Sequence, residues 1–237
     1  MSHPAPQPDP LANPAHSALF GPHAALAERR GRAARYPADV SPFHALPDDP
    51  TEADWADLAA LTGPGGFALL AGNGIAPPPG WQVTFELGGV QLVGDRLAHA
   101  ADPEAVELGP EDVPEMLALV AATRPGPFEA RTIALGRYLG LRQDGVLVAM
   151  AGERMHPVGH TEISAVCTAP SHRGQGLAAR LVRAVAAGVR ERGEVPFLHA
   201  ADDNVNAIRL YKALGFTQSR TITFLGALAP GGAAPDA

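Results

Sequence analysis

A glycine-rich turn between a predicted strand and a predicted helix is the segment best suited to bind a ligand. Residues 165–178 read AVCTAPSHRGQGLA, which runs from an apolar strand through the turn into the start of a helix. Such a turn leaves several backbone N–H groups unpaired at the positive end of the helix dipole, so it can bind a phosphate or pyrophosphate. Glycine at 174 and 176 removes the Cβ atoms that would block this approach.

The turn alone leaves other interpretations open. Gly174, Gly176 and Ala179 also satisfy the dinucleotide-binding pattern, and Asp202, after the next predicted strand, could bind a ribose. No Lys-Ser/Thr pair follows the glycines, so the P-loop of nucleoside triphosphatases is excluded. A tight turn that binds nothing is the third interpretation.

A second segment, residues 204–216 (NVNAIRLYKALGF), reads as an Asn-capped helix that ends at a glycine. Together the two segments resemble the GNAT superfamily of acyl-CoA-dependent N-acetyltransferases, over about residues 104–226. The glycine turn matches the Arg/Gln-x-x-Gly-x-Gly/Ala signature of that family at Arg173, Gly176 and Ala178. The family's Asn-x-x-Ala-x-x-x-Tyr-x-x-x-Gly-Phe ending is matched at Asn204, Ala207, Tyr211, Gly215 and Phe216.

The resemblance implies acetyl-CoA as the acyl donor. The strand before the turn would separate from its neighbour, so that its free backbone groups pair with the pantetheine arm and one N–H polarises the thioester carbonyl. Asn204 would hydrogen-bond the pantetheine or diphosphate region. The strand residues implied in this contact are Val166, Cys167 and Thr168. The turn residues implied in holding the pyrophosphate are Arg173, Gly174, Gln175, Gly176, Leu177 and Ala178.

Direct acetyl transfer needs a base, because an ammonium group cannot attack a thioester. Glu162 is the first candidate because it lies on the same strand, although a paired strand carboxylate fits the sequence equally well. Glu153 and His199 are the rival bases, and His199 is equally consistent with a core histidine. Tyr211 would be the acid that protonates the leaving thiolate, and its alternative role is that of a core aromatic residue.

The composition excludes several classes of partner. The 237 residues carry a net charge of −7, and Lys212 is the only lysine, so we expect neither broad nucleic-acid binding nor anionic-membrane binding. The sequence has no run of about 18 apolar residues and no secretory signal at its start, so we expect a cytoplasmic protein. Cys167 is the only cysteine, and the histidines show no metal-ligand spacing, so we expect no metal site.

The predicted elements give an α/β (α+β) fold with two regions. Residues 104–237 are expected to form a GNAT-like mixed, mostly antiparallel sheet flanked by helices, one of them over residues 176–192. Residues 1–103 are expected to form an additional α/β region, with a helix over residues 51–61 and helical pieces such as residues 24–30.

A weak repeat connects the two regions. It indicates either a decayed half-copy of the same fold, which would close the acceptor side, or chance in a biased composition. The first copy comprises Leu58, Ala60, Thr62, Pro64, Gly65 and Phe67. At the same spacing, the second comprises Leu119, Ala121, Thr123, Pro125, Gly126 and Phe128.

These observations favour a transferase that moves an acetyl group from acetyl-CoA directly to a primary amine, either of a small molecule or of a peptide. A non-catalytic acyl-CoA-binding or regulatory module is the first alternative. A dinucleotide-dependent oxidoreductase is the second, and it predicts a parallel sheet with Asp202 at a strand end. The hairpin predicted at Asp144-Gly145 argues against it, because a hairpin makes neighbouring strands antiparallel.

Overall fold

The computed structural model describes residues 9–231, which form five α-helices and eleven β-strands. The helices are α1 (Pro14–Leu19), α2 (Glu52–Thr62), α3 (Val113–Thr123), α4 (Leu177–Glu191) and α5 (Val205–Leu214). The first strands are β1 (Glu28–Arg30), β2 (Ala33–Arg35), β3 (His44–Ala45), β4 (Phe67–Gly72), β5 (Gln82–Val93) and β6 (Val106–Glu107). The later strands are β7 (Tyr138–Gln143), β8 (Val146–Glu153), β9 (His160–Thr168), β10 (Val195–Ala201) and β11 (Thr217–Leu228). None of the helices within residues 9–231 is long and apolar enough to cross a membrane.

Eight strands form one mixed sheet in the order β4-β11-β5-β10-β9-β8-β7-β6. Only the β9–β10 pair is parallel among the described strands, which confirms the predicted mostly antiparallel sheet. The alternative of a dinucleotide-dependent oxidoreductase predicted a parallel sheet, and that prediction is therefore wrong.

Side chains alternate between the two faces of this sheet along each strand. Each face packs against one helix, α4 on one side and α3 on the other. Leu139 and Leu141 of β7 belong to the apolar cluster that includes α4. Tyr138 of the same strand belongs to the cluster that includes Met116 and Leu119 of α3. The sheet therefore lies between α3 and α4, and β9 and β10 are its two central strands.

The strand β5 comes from the N-terminal region but lies inside the sheet of the C-terminal region. It pairs with β10 through residues 89–93 and with β11 along its whole length. Its Leu92 is fully buried in the same apolar cluster as α4. The boundary predicted between residues 103 and 104 therefore does not separate two sheets.

We expect a fragment of residues 104–237 not to fold on its own. Removing residues 1–103 deletes β4 and β5, which leaves β10 and β11 without the strand that joins them. Circular dichroism and thermal unfolding of the purified fragment test this, with the full chain as the control. A cooperative transition like that of the full chain would contradict it.

The segment of residues 24–30, predicted as helical, forms a short 3-10 helix at Ala24–Leu26 followed by β1. β1 turns back through Gly31, whose φ of +53° favours glycine, and pairs with β2 in a separate small sheet with β3. The Arg35 guanidinium donates to the Glu28 carboxylate at 2.7 Å across this pair. The helical prediction holds for Ala24–Leu26, as a 3-10 helix, and was wrong for the residues of β1, because local propensity does not include such pairing across strands.

The repeat seen in the sequence extends to the ends of α2 and α3. Both helices have 11 residues. The Thr62 hydroxyl donates to the Leu58 carbonyl at 2.7 Å, and the Thr123 hydroxyl donates to the Leu119 carbonyl at 2.6 Å. The following strands differ, because β4 pairs with β11 whereas β7 pairs with β8 as a hairpin. The half-copy therefore stays a hypothesis.

Candidate active site

A cleft opens in the sheet where β9 and β10 separate. The two strands pair only at residues 160–162 of β9 and 195–197 of β10, whereas β9 remains paired with β8 as far as Thr168. Within the described chain, residues 163–168 of β9 have no strand partner on the β10 side. This separation is the one that the resemblance implied, and it leaves backbone groups of β9 free to pair with an extended ligand.

A β-bulge bends β9 at the edge of the cleft. Ala165 has a φ of +52°, and the register between β8 and β9 shifts between Met150 and Gly152. A non-glycine residue at positive φ is uncommon, and bulges are frequent beside binding sites, where they redirect a strand.

The cleft contains a cavity of about 380 Å³. Its inner wall comprises residues 163–166 of β9 and residues 199–201 of β10. Tyr211, Asn204 and Ala207 line it on the side of α5. Its outer wall comprises residues 124–127 together with the apolar side chains of Phe43, Leu69, Phe85, Leu87 and Phe224. Four of those five apolar residues precede residue 104, so the N-terminal region closes one side of the cavity.

A second cavity, of about 420 Å³, lies against the glycine turn and shares Ala207 with the first. Gly174 and Gly176 have φ values of +80° and +75°, and a Cβ added at either would meet no atom within 4 Å. No backbone carbonyl of the described chain accepts a hydrogen bond from the N–H groups of residues 174–176. The turn therefore presents the unpaired donors and the open space that a pyrophosphate requires.

Most of the predicted donor-binding residues line these two cavities. Val166 and Asn204 line the first, and Asn204 also caps α5 by accepting from the N–H of Ala207 at 3.2 Å. Gln175 lines neither cavity. Those that line the second cavity are Thr168, Arg173, Gly174, Gly176, Leu177 and Ala178.

Cys167 points away from the cleft, because its neighbours Val166 and Thr168 take the facing positions. Its side chain packs with Met116 and Leu119 of α3, and burial raises the pKa of its thiol to about 11. A buried thiol of this kind is a packing residue, as the sequence indicated, and only its backbone is available to the ligand.

Tyr211 belongs to α5 and lines the first cavity. Its ring packs edge-to-face on Phe216 at 5.9 Å, and its hydroxyl makes no hydrogen bond within residues 9–231. Burial, followed by the nearby Cys167, raises the pKa of Tyr211 to about 12. The hydroxyl therefore keeps its proton at neutral pH.

Glu162 is fully buried in a polar network behind the cavity wall. Arg154 donates to its two carboxylate oxygens, from Nε at 2.8 Å and from Nη2 at 2.5 Å. His199 Nδ1 lies 2.7 Å from the same carboxylate. Burial by itself would raise the pKa of the Glu162 carboxyl, but the charge and hydrogen bonds of Arg154, and then the hydrogen bond of His199, hold that pKa well below its usual range.

This placement argues against Glu162 as the base. Its side chain does not line the cavity, both of its oxygens are occupied, and a carboxylate with a strongly lowered pKa takes up protons poorly. The second interpretation of Glu162, a paired strand carboxylate, fits the structure. Sequence position specified the strand but not the two partners, which lie on β10 and just after β8.

Of the two rival bases, only His199 belongs to the residues that line the cavity, and its side chain is 1% exposed. Ser219 Oγ donates to Gln91 Oε1 at 3.0 Å, and Gln91 Nε2 donates to the Leu11 carbonyl at 2.9 Å, which fixes the orientation of the Gln91 amide. Gln91 Nε2 lies 3.2 Å from His199 Nε2, so Nε2 accepts and Nδ1 carries the proton that is donated to Glu162. Nε2 is thus the unprotonated nitrogen.

Glu153, the other rival base, is also engaged elsewhere. Arg192 Nη2 donates to it at 2.9 Å, and the backbone N–H of Arg137 donates to it at 3.3 Å. It is almost fully buried and does not line the cavity. Its position excludes direct contact with a ligand in the cleft.

Two arginines of the cavity wall were not singled out as site residues from the sequence. Arg154 lies with its guanidinium 4.9 Å above the Phe43 ring, in contact with Glu162. Arg124 follows α3 in the left-handed conformation, with a φ of 51°. For Arg124, the sequence signal that could have indicated a site residue was its position between a helix and the Pro125-Gly126-Pro127 turn.

Comparisons with known proteins agree with this geometry. The FR47-like protein family model matches residues 138–225. A protein of Novosphingobium aromaticivorans described as an acetyltransferase of the GNAT family is 42% identical, with 92% of this chain and 98% of that chain covered and a TM-score of 0.85. The fold is also similar to that of a GCN5-related N-acetyltransferase from Kribbella flavida, at 22% identity, 94% and 96% coverage and a TM-score of 0.63. No curated protein sequence matches the chain.

Proposed function

The chain belongs to the GNAT family of acetyltransferases, and on that premise we propose that it moves an acetyl group from acetyl-CoA directly to a primary amine. The observation that carries the proposal is the separation of β9 from β10 beside a glycine turn whose N–H groups are unpaired. A cytoplasmic location also stays a prediction.

The donor would lie across both cavities. Its pyrophosphate would accept from the N–H groups of residues 174–178, with Arg173 as the nearby cation, and Asn204 would contact the pantetheine region. The pantetheine arm would pair with β9 along residues 166–168 like an added strand. The thioester would then lie beside the bulge at Ala165, where a β9 N–H polarises its carbonyl.

The reaction would be a single transfer without an acyl-enzyme. The amine nitrogen attacks the thioester carbonyl carbon, and the C–S bond breaks as the tetrahedral intermediate collapses. Tyr211 donates its hydroxyl proton to the departing sulfur, because it is the protonated group at that end of the cavity. The proton released by the amine nitrogen must be taken up by a second group of the cavity.

We assign the removal of that proton to His199, with Glu162 as the positioning residue. Nε2 of His199 is unprotonated, and Glu162 holds Nδ1–H in the fixed tautomer that a histidine base needs. The contact between Gln91 and Nε2, at 3.2 Å, is longer than the 2.7 Å contact to Glu162, and it must yield when Nε2 takes up the proton. The variant His199→Asn is expected to lower kcat with little change in acetyl-CoA affinity, which steady-state kinetics and calorimetric titration would measure.

Replacing Gly176 with alanine is expected to weaken acetyl-CoA binding about tenfold or more. The new Cβ would project from the turn into the space reserved for the pyrophosphate. Gly159→Ala is the matched control, because its φ of +71° and its open surroundings are similar while it lines neither cavity. Calorimetric titration with acetyl-CoA should separate the two variants, and equal weakening by both would show that backbone strain alone is responsible.

The test of the function is release of free CoA thiol from acetyl-CoA in the presence of a library of amines. The proposal predicts thiol release that depends on the amine, with an acetylated amine detected by mass spectrometry. Tight acetyl-CoA binding with no release for any amine would favour the alternative of a non-catalytic acyl-CoA-binding module.

A further inference from the structure

The charge of the cavity is opposite in sign to that of the whole chain. The chain has a net charge of −7, whereas the charged residues among the described residues that line the cavity are Arg124 and Arg154, with no Asp or Glu. A cationic polyamine or a lysine-rich peptide would therefore find no carboxylate there to replace its lost hydration.

Of these two arginines, Arg124 has an uncompensated charge. Arg154 is paired with the buried Glu162 through two hydrogen bonds. Arg124 makes no ion pair and no side-chain hydrogen bond within residues 9–231, although ten other arginines of that range form ion pairs. Its backbone has a φ of 51° because it ends α3 as the left-handed C-cap residue, with its N–H donating to the Val120 carbonyl.

The part of the cavity wall that β5 contributes is apolar and only partly covered. Phe85 and Leu87 of β5 are 42% and 41% exposed, and both line the cavity. Phe67 stacks on Phe85 at 6.3 Å and continues the apolar surface outward. Large apolar side chains left exposed at the wall of a cavity are suited to contact an apolar ligand group.

We propose that the acceptor is an amine that also carries a carboxylate and an apolar side chain, that is, an apolar α-amino acid. Arg124 binds the carboxylate as a charge-assisted pair, Phe85 and Leu87 contact the side chain, and the amine points toward His199 and the thioester. This inference rests on the proposed function and adds the class of acceptor to it.

The test is calorimetric binding of L-phenylalanine, phenethylamine and spermidine, with and without CoA. Phenethylamine has the same ring and amine but no carboxylate. We expect L-phenylalanine to bind at least about tenfold more tightly than phenethylamine, because a charge-assisted pair is lost in the latter. Arg124→Gln should abolish that difference. Arg131→Gln is the matched control, because Arg131 lies in the same connection but pairs with Asp39 at the surface and should leave binding unchanged.

The outcomes separate this inference from the proposed function. Equal or tighter binding of phenethylamine or spermidine, no binding of any probe, or no effect of Arg124→Gln would overturn the inference. Thiol release with spermidine as the preferred acceptor would overturn it while supporting acetyl transfer. Binding of L-phenylalanine that depends on Arg124, without thiol release from acetyl-CoA, would support the inference and contradict the proposed function.

Discussion

Tyr211→Phe is expected to lower kcat about 100-fold, with little change in acetyl-CoA affinity or in the free energy of unfolding. The variant keeps the ring that packs on Phe216 and removes only the hydroxyl. That hydroxyl makes no hydrogen bond within the described residues, so its loss leaves no partner unsatisfied. The whole effect should therefore fall on the step in which the thiolate leaves.

Tyr138→Phe is the matched control for this prediction. Tyr138 is also buried, its hydroxyl has no hydrogen-bond partner within the described residues, and it lies in the cluster with α3 rather than at the cavity. Steady-state kinetics of both variants with one accepted amine make the comparison. An unchanged kcat for Tyr211→Phe, or an equal loss in both variants, would make Tyr211 a packing residue only.

Glu162→Gln is expected to lower the free energy of unfolding by about 3–5 kcal/mol. The substitution removes the charge that compensates Arg154, which is 8% exposed, and leaves a buried guanidinium without a counter-ion. Asp39→Asn is the control, because it breaks an ion pair with Arg131 in which both side chains are more than half exposed, and it should cost about 1 kcal/mol or less. Denaturant unfolding of both variants measures the difference.

The same pair gives stability a defined dependence on pH. The pKa of Glu162 is lower in the folded protein than its ordinary value of 4.5. Its contribution is therefore complete above pH 4.5 and is lost as the pH falls from there toward the folded pKa. Wild type should lose stability more steeply than Glu162→Gln in this range. Parallel curves, or a loss below 1 kcal/mol at neutral pH, would show that the ion pair contributes little.

Local sequence signals predicted the elements around the glycine turn well. The α4 helix begins one residue after Gly176. Of the apolar residues whose spacing predicts an inward face, Leu181, Val182, Val185 and Val189 are buried, whereas Leu177 is half-buried. The cap of α5 by Asn204 and its end at Gly215 follow from side-chain and backbone preferences that act within a few residues. These features depend on near neighbours in the chain.

Features that depend on distant partners were not predicted. The sequence of residues 81–87 is typical of a strand, but it does not indicate that β5 pairs between β10 and β11, more than a hundred residues later. Glu162 was the first candidate for the base because it lies on β9. Its position in the sequence does not show that the guanidinium of Arg154 and the imidazole of His199 lie beside it. Arg124 was not predicted as a site residue, since an unpaired charge is visible only once its surroundings are known.

The central claim is that the glycine turn and the cleft hold acetyl-CoA. Thermal unfolding of the full chain with acetyl-CoA, CoA, NADH and NADPH tests it most directly. At about 100 times its dissociation constant, acetyl-CoA should stabilise the fold by about 2.7 kcal/mol, which raises Tm by a few degrees. The account predicts such a shift with acetyl-CoA and CoA and none with NADH or NADPH. A shift with NADH or NADPH and none with either CoA species would contradict it.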